Sequence, residues 1–252
     1  MLNSLGERMS CKYSDVIISM HPGNINHLVK KGADKINFYH IPNGVNVEDW
    51  ERPTSLTKEL NSRFLNIKKK KKKIILYAGT VSIANDIKLL IEASEKSKLS
   101  AEYVIIGDGT EVDFLKKYTK GKKNTFHFFG KIEKKYIPKS IEFADICYVG
   151  FKYNKLYEYG VSANKIWDYM MSSKAIIMSI NSCNDPVKDA NCGITVNTGS
   201  VKDLASAIDE MLIKDNLEEL GINGRDYVMS NNQYPLLAEK CITIFNKYLK
   251  DK

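Results

Sequence analysis

From Ile74 onward the chain alternates between short apolar segments and stretches whose apolar residues recur at helical spacing. The apolar segments are "IILYAG" at 74–79, "YVIIGDG" at 103–109, "TFHFFG" at 125–130, "ICYVG" at 146–150, "AIIMSI" at 175–180 and "GITV" at 193–196. They are short and rich in β-branched or aromatic residues, and several end in glycine, as strands do. Residues 86–96, 111–120, 137–143 and 164–171 carry the helical spacing between them. Strand followed by helix, repeated, predicts parallel strands joined by crossovers: an α/β doubly wound parallel sheet. Ligands of such sheets sit beyond the C-terminal strand ends, where the strand order reverses.

Residues 54–230 therefore read as one Rossmann-like domain, with 54–73 as its linker. Upstream, "SDVIIS" reads as a strand, "GNINHLVKKG" as a helix, and "FYHIPNGVN" at 38–46 as a strand entering a turn at Pro42, Asn43 and Gly44. Residues 1–53 thus resemble the tail of a further domain with a crossover. Three helical patterns close the chain, and 231–252 form a C-terminal helix.

Composition narrows the classes. Hydrophobic residues are 43% and charged residues 27% of 252, ordinary for a globular protein. No apolar run approaches the roughly 18 residues of a membrane span, and no signal-peptide pattern opens the chain. The five cysteines share no metal-like spacing, which predicts buried, reduced thiols and a cytoplasmic location. Net charge is +8, and six consecutive lysines, Lys68 to Lys73, supply much of it. A solvated loop is the first reading of that run. The second is contact with an anionic membrane surface, peripheral on the inner face of the plasma membrane. Nucleic acid is not expected, because no recognition motif or interleaved aromatic accompanies the run.

The stretch "GVSANKIWDYMM" carries the most chemistry. Ser162 is placed to cap a helix beginning near Asn164, with Ile166, Tyr169 and Met170 as its buried stripe. Asn164 and Asp168 share a face, and Lys165 lies three residues before Asp168. A cation at a helix N-terminus opposes the macrodipole by ~0.3–1 kcal/mol, and an anion held by both reverses that sign. A diphosphate on the helix end and Lys165, with ribose hydroxyls on Asp168, satisfies every group. A surface ion pair between Lys165 and Asp168, worth at most about 0.5 kcal/mol, satisfies the spacing equally well.

Several blocks together resemble the family-4 (group 1) retaining glycosyltransferases of GT-B fold. These are "IPNGVNVEDW", "ILYAGTVSIANDIKLLIEAS", "YVIIGDGTEVDFL", "FHFFGKIEKKYIPKSIEFADICYVG" and "GVSANKIWDYMMSSKAIIMS", in that order. The last is similar to a fucosamine-transferase-like branch. The resemblance covers essentially the whole chain and implies its donor-binding half, the N-terminal acceptor domain being largely missing. It implies retaining transfer of a hexosyl or N-acetylhexosaminyl group from a nucleotide-diphosphate-sugar, UDP-linked, to a saccharide or lipid-linked acceptor in capsule or O-antigen synthesis. It implies no cofactor and no metal, and a second chain as a source of the N-terminal half. By resemblance Gly79, Thr80, Ser162, Ala163, Asn164 and Lys165 hold the diphosphate, Asp168 the ribose, and Gly130, Lys131 and Ile132 the base. Catalytic residues are not assigned.

The departures from the family are specific. Where it places an arginine and a lysine on the phosphates, this chain has Thr80 and Asn85. Where it places the first of two acids, this chain has Gly160. A non-catalytic nucleotide- or sugar-binding module, or an inactive truncated relic, is the alternative. Another Rossmann-like enzyme is a third reading, but "GTVSIA" lacks the later glycines of a dinucleotide fingerprint. The pair of glycines at 107 and 109 is read as either a phosphate approach or a tight turn, His127 as a strand residue, and Trp167 as packing against the sheet.

Overall fold

A computed structural model describes residues 2–249. All six expected strands form: β3 (Ile74–Ala78), β4 (Glu102–Ile106), β5 (Thr125–Gly130), β6 (Ile146–Gly150), β7 (Ala175–Ser179) and β8 (Gly193–Val196). They make one parallel sheet in the order β5-β4-β3-β6-β7-β8. The order reverses between β3 and β6. Two further strands, β1 (Ile17–Ser19) and β2 (Phe38–His40), pair in parallel as a separate small sheet.

Strands β3, β4, β6 and β7 are buried along their whole length, which is why they read as continuous apolar runs rather than alternating ones. Alternate residues serve opposite faces. Ile74, Leu76, Cys147, Val149, Ile176 and Met178 join one core cluster, and Ile75, Tyr77, Ile146, Tyr148 and Ile177 the other. Helices Lys58–Lys68, Asn164–Met171 and Leu217–Asn231 cover the first face; Ile87–Lys96, Val112–Tyr118 and Val201–Ile213 cover the second.

The reading of 54–73 as a linker is corrected. Thr57 Oγ1 accepts from the Leu60 N–H and starts the helix Lys58–Lys68. Its Phe64 is fully buried, stacked on Phe143 at 4.7 Å and packed on Phe129 at 4.4 Å. The segment is part of the sheet's cover. The upstream residues are also tied in. The turn at Pro42–Gly44 passes so close to the last helices that a Cβ on Gly44 would lie 2.6 Å from the Asn232 carbonyl. Asn232 Nδ2 donates to the Asn43 carbonyl at 3.1 Å. The final helix, Tyr234–Leu249, packs Leu237 and Ile244 on Ile41 and Tyr39.

All five cysteines are free thiols. Cys11, Cys147 and Cys192 are buried, but Cys183 is exposed, against expectation. His127 lies in β5 as expected, its Nε2 2.6 Å from Glu102 Oε2. Trp167 is buried in the core.

Candidate functional site

The helix Asn164–Met171 has the bounds its spacing predicts, and Ile166, Tyr169 and Met170 are buried. Tyr169 fixes where it sits: its Oη accepts from the Ala78 N–H at 2.7 Å and donates to the Ala78 carbonyl at 3.2 Å. The helix is thereby bolted to the end of β3. Lys165, one turn earlier on the same side, then reaches the gap between β3 and β6, where the strand order reverses.

Lys165 is partly buried there, with its ammonium 4.7 Å from the Tyr77 ring centre and 5.5 Å from that of Phe151. It donates to Tyr77 Oη at 3.1 Å and to Asn85 Oδ1. Tyr77 Oη in turn donates a hydrogen bond to the Thr80 carbonyl at 2.6 Å. An ammonium has three protons, so two are used and one remains to donate. Burial pulls the Lys165 pKa down to about 8. No carboxylate lies within ion-pairing distance of Lys165 among the described residues, so the surface ion pair with Asp168 does not form.

Asp168 faces another way. With Asn164 it lines a cavity of about 620 Å³ shared with Asn46, Asp49, Trp50 and Lys134. Burial pushes its carboxyl up to about 6; Lys134 opposes that shift and Asp49 adds to it. The adjoining cleft, about 470 Å³, brings together Gly79, Thr80, Lys131 and Ile132. Ile137 lines both. Two groups of the expected site residues thus lie in neighbouring hollows, with Lys165 packed beside Gly79: a Cβ on that glycine would be 3.5 Å from Lys165 Cε.

One expectation changes at the start of this helix. Ser162 does not cap the helix; Ala163 occupies that position without a side-chain cap. Ser162 Oγ instead accepts from the Asn43 N–H at 2.7 Å, joining the crossover turn to the helix start. Gly130 does not line the cleft; its carbonyl accepts from the Gly107 N–H at 2.8 Å. Gly107 and Gly109 serve close backbone approach, since Cβ atoms on them would lie 1.8 Å from the Gly79 carbonyl oxygen and 2.2 Å from that of Val81. At Gly160, φ is +131° and a Cβ would meet Pro22 Cδ at 2.7 Å. An acid at that position has no room.

Asn85 stands where the resemblance expects a lysine, and it supplies an acceptor that holds Lys165. Tyr77, Phe151 and the crossover residues Asn46, Asp49 and Trp50 are site neighbours that the sequence reading missed. The tyrosine hydroxyl at the end of an otherwise apolar strand was the one available signal. Among the described residues no group of three or more His, Cys, Asp or Glu side chains could hold a metal ion.

A partly buried lysine and a partly buried acid lie on a helix that opens at the switch point of a doubly wound sheet, where ligands of such sheets bind. The family model for glycosyl transferases group 1 matches residues 58–226, more than half of the chain, and the protein belongs to that family. No curated protein sequence matches the chain. Solved structures do share its fold. HepE from Anabaena, in complex with UDP and glucose, is similar at 13% identity and a TM-score of 0.74, over 96% of this chain and 66% of that one. Sucrose-phosphate synthase from Thermosynechococcus elongatus is similar at 18% identity and 0.75, over 100% and 62%. A glycosyltransferase from Rickettsia africae is similar at 18% identity and 0.74, over 98% and 67%. The chain spans about two thirds of the length of these proteins. Its Rossmann-like fold matches that of GT-B glycosyltransferases.

The two shifted groups give an expected pH profile. Raising pH through about 8 discharges Lys165, and lowering it through about 6 protonates Asp168. Affinity for a nucleoside diphosphate held by both groups, the ligand proposed below, is expected to peak between those values and to fall on both sides. Uridine, which has no phosphate, keeps the acid limb and loses the alkaline one. Titrations from pH 5 to 8.5 with both ligands check this; a flat UDP profile contradicts the assignment of both groups.

Proposed function

We propose that this chain is the nucleotide-sugar-binding part of a retaining glycosyltransferase that uses a UDP-linked donor. The transferred group is a hexosyl or N-acetylhexosaminyl sugar, as in the fucosamine-transferase-like branch. The acceptor is a saccharide or lipid-linked saccharide in cell-surface polysaccharide synthesis, and the work is done in the cytoplasm. The observation that carries the reading is Lys165, held at the switch point with one proton still to donate. Charge develops on the departing diphosphate, and a fixed, partly desolvated ammonium stabilises it more than water does. The proposal assigns that role to Lys165, with Gly79, Thr80, Ala163, Asn164 and Ser162 around the diphosphate. Lys131 and Ile132, with Gly130 behind them, hold the base. No metal or cofactor takes part. Acceptor groups belong to an N-terminal half of the enzyme. HepE was solved with UDP and glucose, which supports a donor of this class.

A second reading, a nucleotide- or sugar-binding module without turnover, is favoured by Gly160: Pro22 fills the space where the resemblance expects an acid.

Asp168 is the ribose ligand in this proposal. Asp168→Ala is expected to weaken UDP binding about tenfold or more, the loss of a charged hydrogen bond worth ~1.5–3 kcal/mol. It should leave binding of a 2′,3′-dideoxy UDP analogue unchanged. Equal losses for both ligands in a calorimetric titration would remove Asp168 from the ribose.

A further inference from the structure

We propose that the face made by the N-terminal ends of β3, β4 and β5 is a docking surface for an anionic phospholipid bilayer. This goes beyond the nucleotide site and does not depend on it.

Of the six consecutive lysines, Lys68 pairs with Asp145 at 3.7 Å and Lys70 with the buried Glu102 at 2.9 Å. Lys69 donates to the neutral Asn66 side chain at 3.2 Å and Lys73 to the Lys214 carbonyl at 3.0 Å, so both keep their charge uncompensated. Lys71 and Lys72 are exposed. The turns that precede β4 and β5 add Lys98 and Lys123, both exposed. These turns are sewn together: Lys123 Nζ donates to the Ser97 carbonyl at 3.1 Å, and the Glu102 N–H to the Lys73 carbonyl at 3.0 Å.

Three acids of this face are tied down or covered, while Asp145 pairs with Lys68, Glu210 pairs with Lys214, and Asp215 is exposed. Asp209 accepts from the Lys98 and Leu99 N–H groups and from Ser97 Oγ, and Glu95 from the Lys123 and Asn124 N–H groups. Glu102 is buried beneath His127 and Lys70. What residues 68–73, 97–101 and 119–124 project outward is ammonium groups and no carboxylate, and two aliphatic side chains lie beside them. Ile213 is 68% exposed and precedes the residue that Lys73 holds; Leu99 is 37% exposed and follows Lys98.

Lysines attract anionic headgroups, and isolated aliphatic side chains gain by entering the headgroup–acyl boundary. Nucleic acid would be gripped by arginine forks and stacked aromatics. Residues 68–73, 97–101 and 119–124 contain neither arginine nor aromatic side chains. The five-residue strands set this face about 17 Å from their C-terminal ends. Docking here leaves the hollows around Lys165 and Asp168 open to solution.

The test is co-sedimentation of the full chain with vesicles of phosphatidylcholine containing 30% phosphatidylglycerol, and with phosphatidylcholine alone, in ~0.1 M salt. Binding is expected only to the anionic vesicles. The quadruple variant Lys69→Ser, Lys71→Ser, Lys72→Ser, Lys98→Ser is expected to lose about a thousandfold in partitioning. Ile213→Ser should lose about tenfold. A control of equal charge change on other surfaces, Lys30→Ser, Lys35→Ser, Lys155→Ser, Lys202→Ser, should bind as the parent does. Thermal melting of each variant confirms its fold. Equal binding to neutral vesicles, an equal loss in the control, or tighter lysine-dependent binding to single-stranded RNA than to the anionic vesicles overturns the proposal.

Discussion

Lys165→Ala is expected to weaken UDP binding about ten- to a hundredfold while leaving uridine binding unchanged. The estimate is that of a charged hydrogen bond, ~1.5–3 kcal/mol. The structure explains why one lysine can matter so much. Thr80 and Asn85 stand where the resemblance expects two cations, and Asn85 Oδ1 and Tyr77 Oη hold the Lys165 ammonium in place before any ligand arrives. Little conformational entropy is then lost on binding. Calorimetric titration of the variant with both ligands reads the effect. A proportional loss for uridine would mean that the substitution disturbs the fold of the cleft rather than the phosphate contact.

Phe64→Ala is expected to destabilise the protein by about 3–5 kcal/mol, the range for truncating a buried phenylalanine. Phe64 is fully buried between Phe129 and Phe143, and the guanidinium of the preceding Arg63 covers Phe129 at 3.9 Å from the ring centre. Arg63 also donates to the Phe128 carbonyl at 3.1 Å. The helix Lys58–Lys68 thus closes one side of the sheet near β5 and, through it, the residues that follow β5 and line the cleft. Denaturant unfolding measures the cost. A change under ~0.5 kcal/mol, as at an exposed linker position, contradicts this role.

That helix also shows where a sequence reading fails. Thr57 as a cap and Leu60, Phe64 and Ile67 at helical spacing were present, but the lysines that follow made the segment read as solvated. The four central strands were legible because both sheet faces are covered there, so each is a nearly unbroken apolar run, and the half-buried β5 and β8 were legible from their aromatic and β-branched residues. The helix Asn164–Met171 was legible to the residue for a similar reason: its buried side is nearly all apolar. The directions of its polar side chains were not. Lys165 turns toward Tyr77 and Asn85, and Asp168 toward Asp49 and Trp50. Those partners are separated from it by scores of residues, and no local spacing encodes them. The same holds for Ser162, which left its expected cap for Asn43, and for Gly160, whose space is taken by Pro22. Side-chain partners set by tertiary contact lie outside what periodicity carries.

The central claim is a nucleoside-diphosphate site at the β3–β6 switch point, charged by Lys165. The measurement that tests it most directly is calorimetric titration of the purified chain with UDP and with uridine, near pH 7 and with a chelator present. The account predicts one-site binding of UDP at least about tenfold tighter than uridine, the worth of one charged phosphate contact. Equal affinities for the two ligands, or no binding of either, would contradict it.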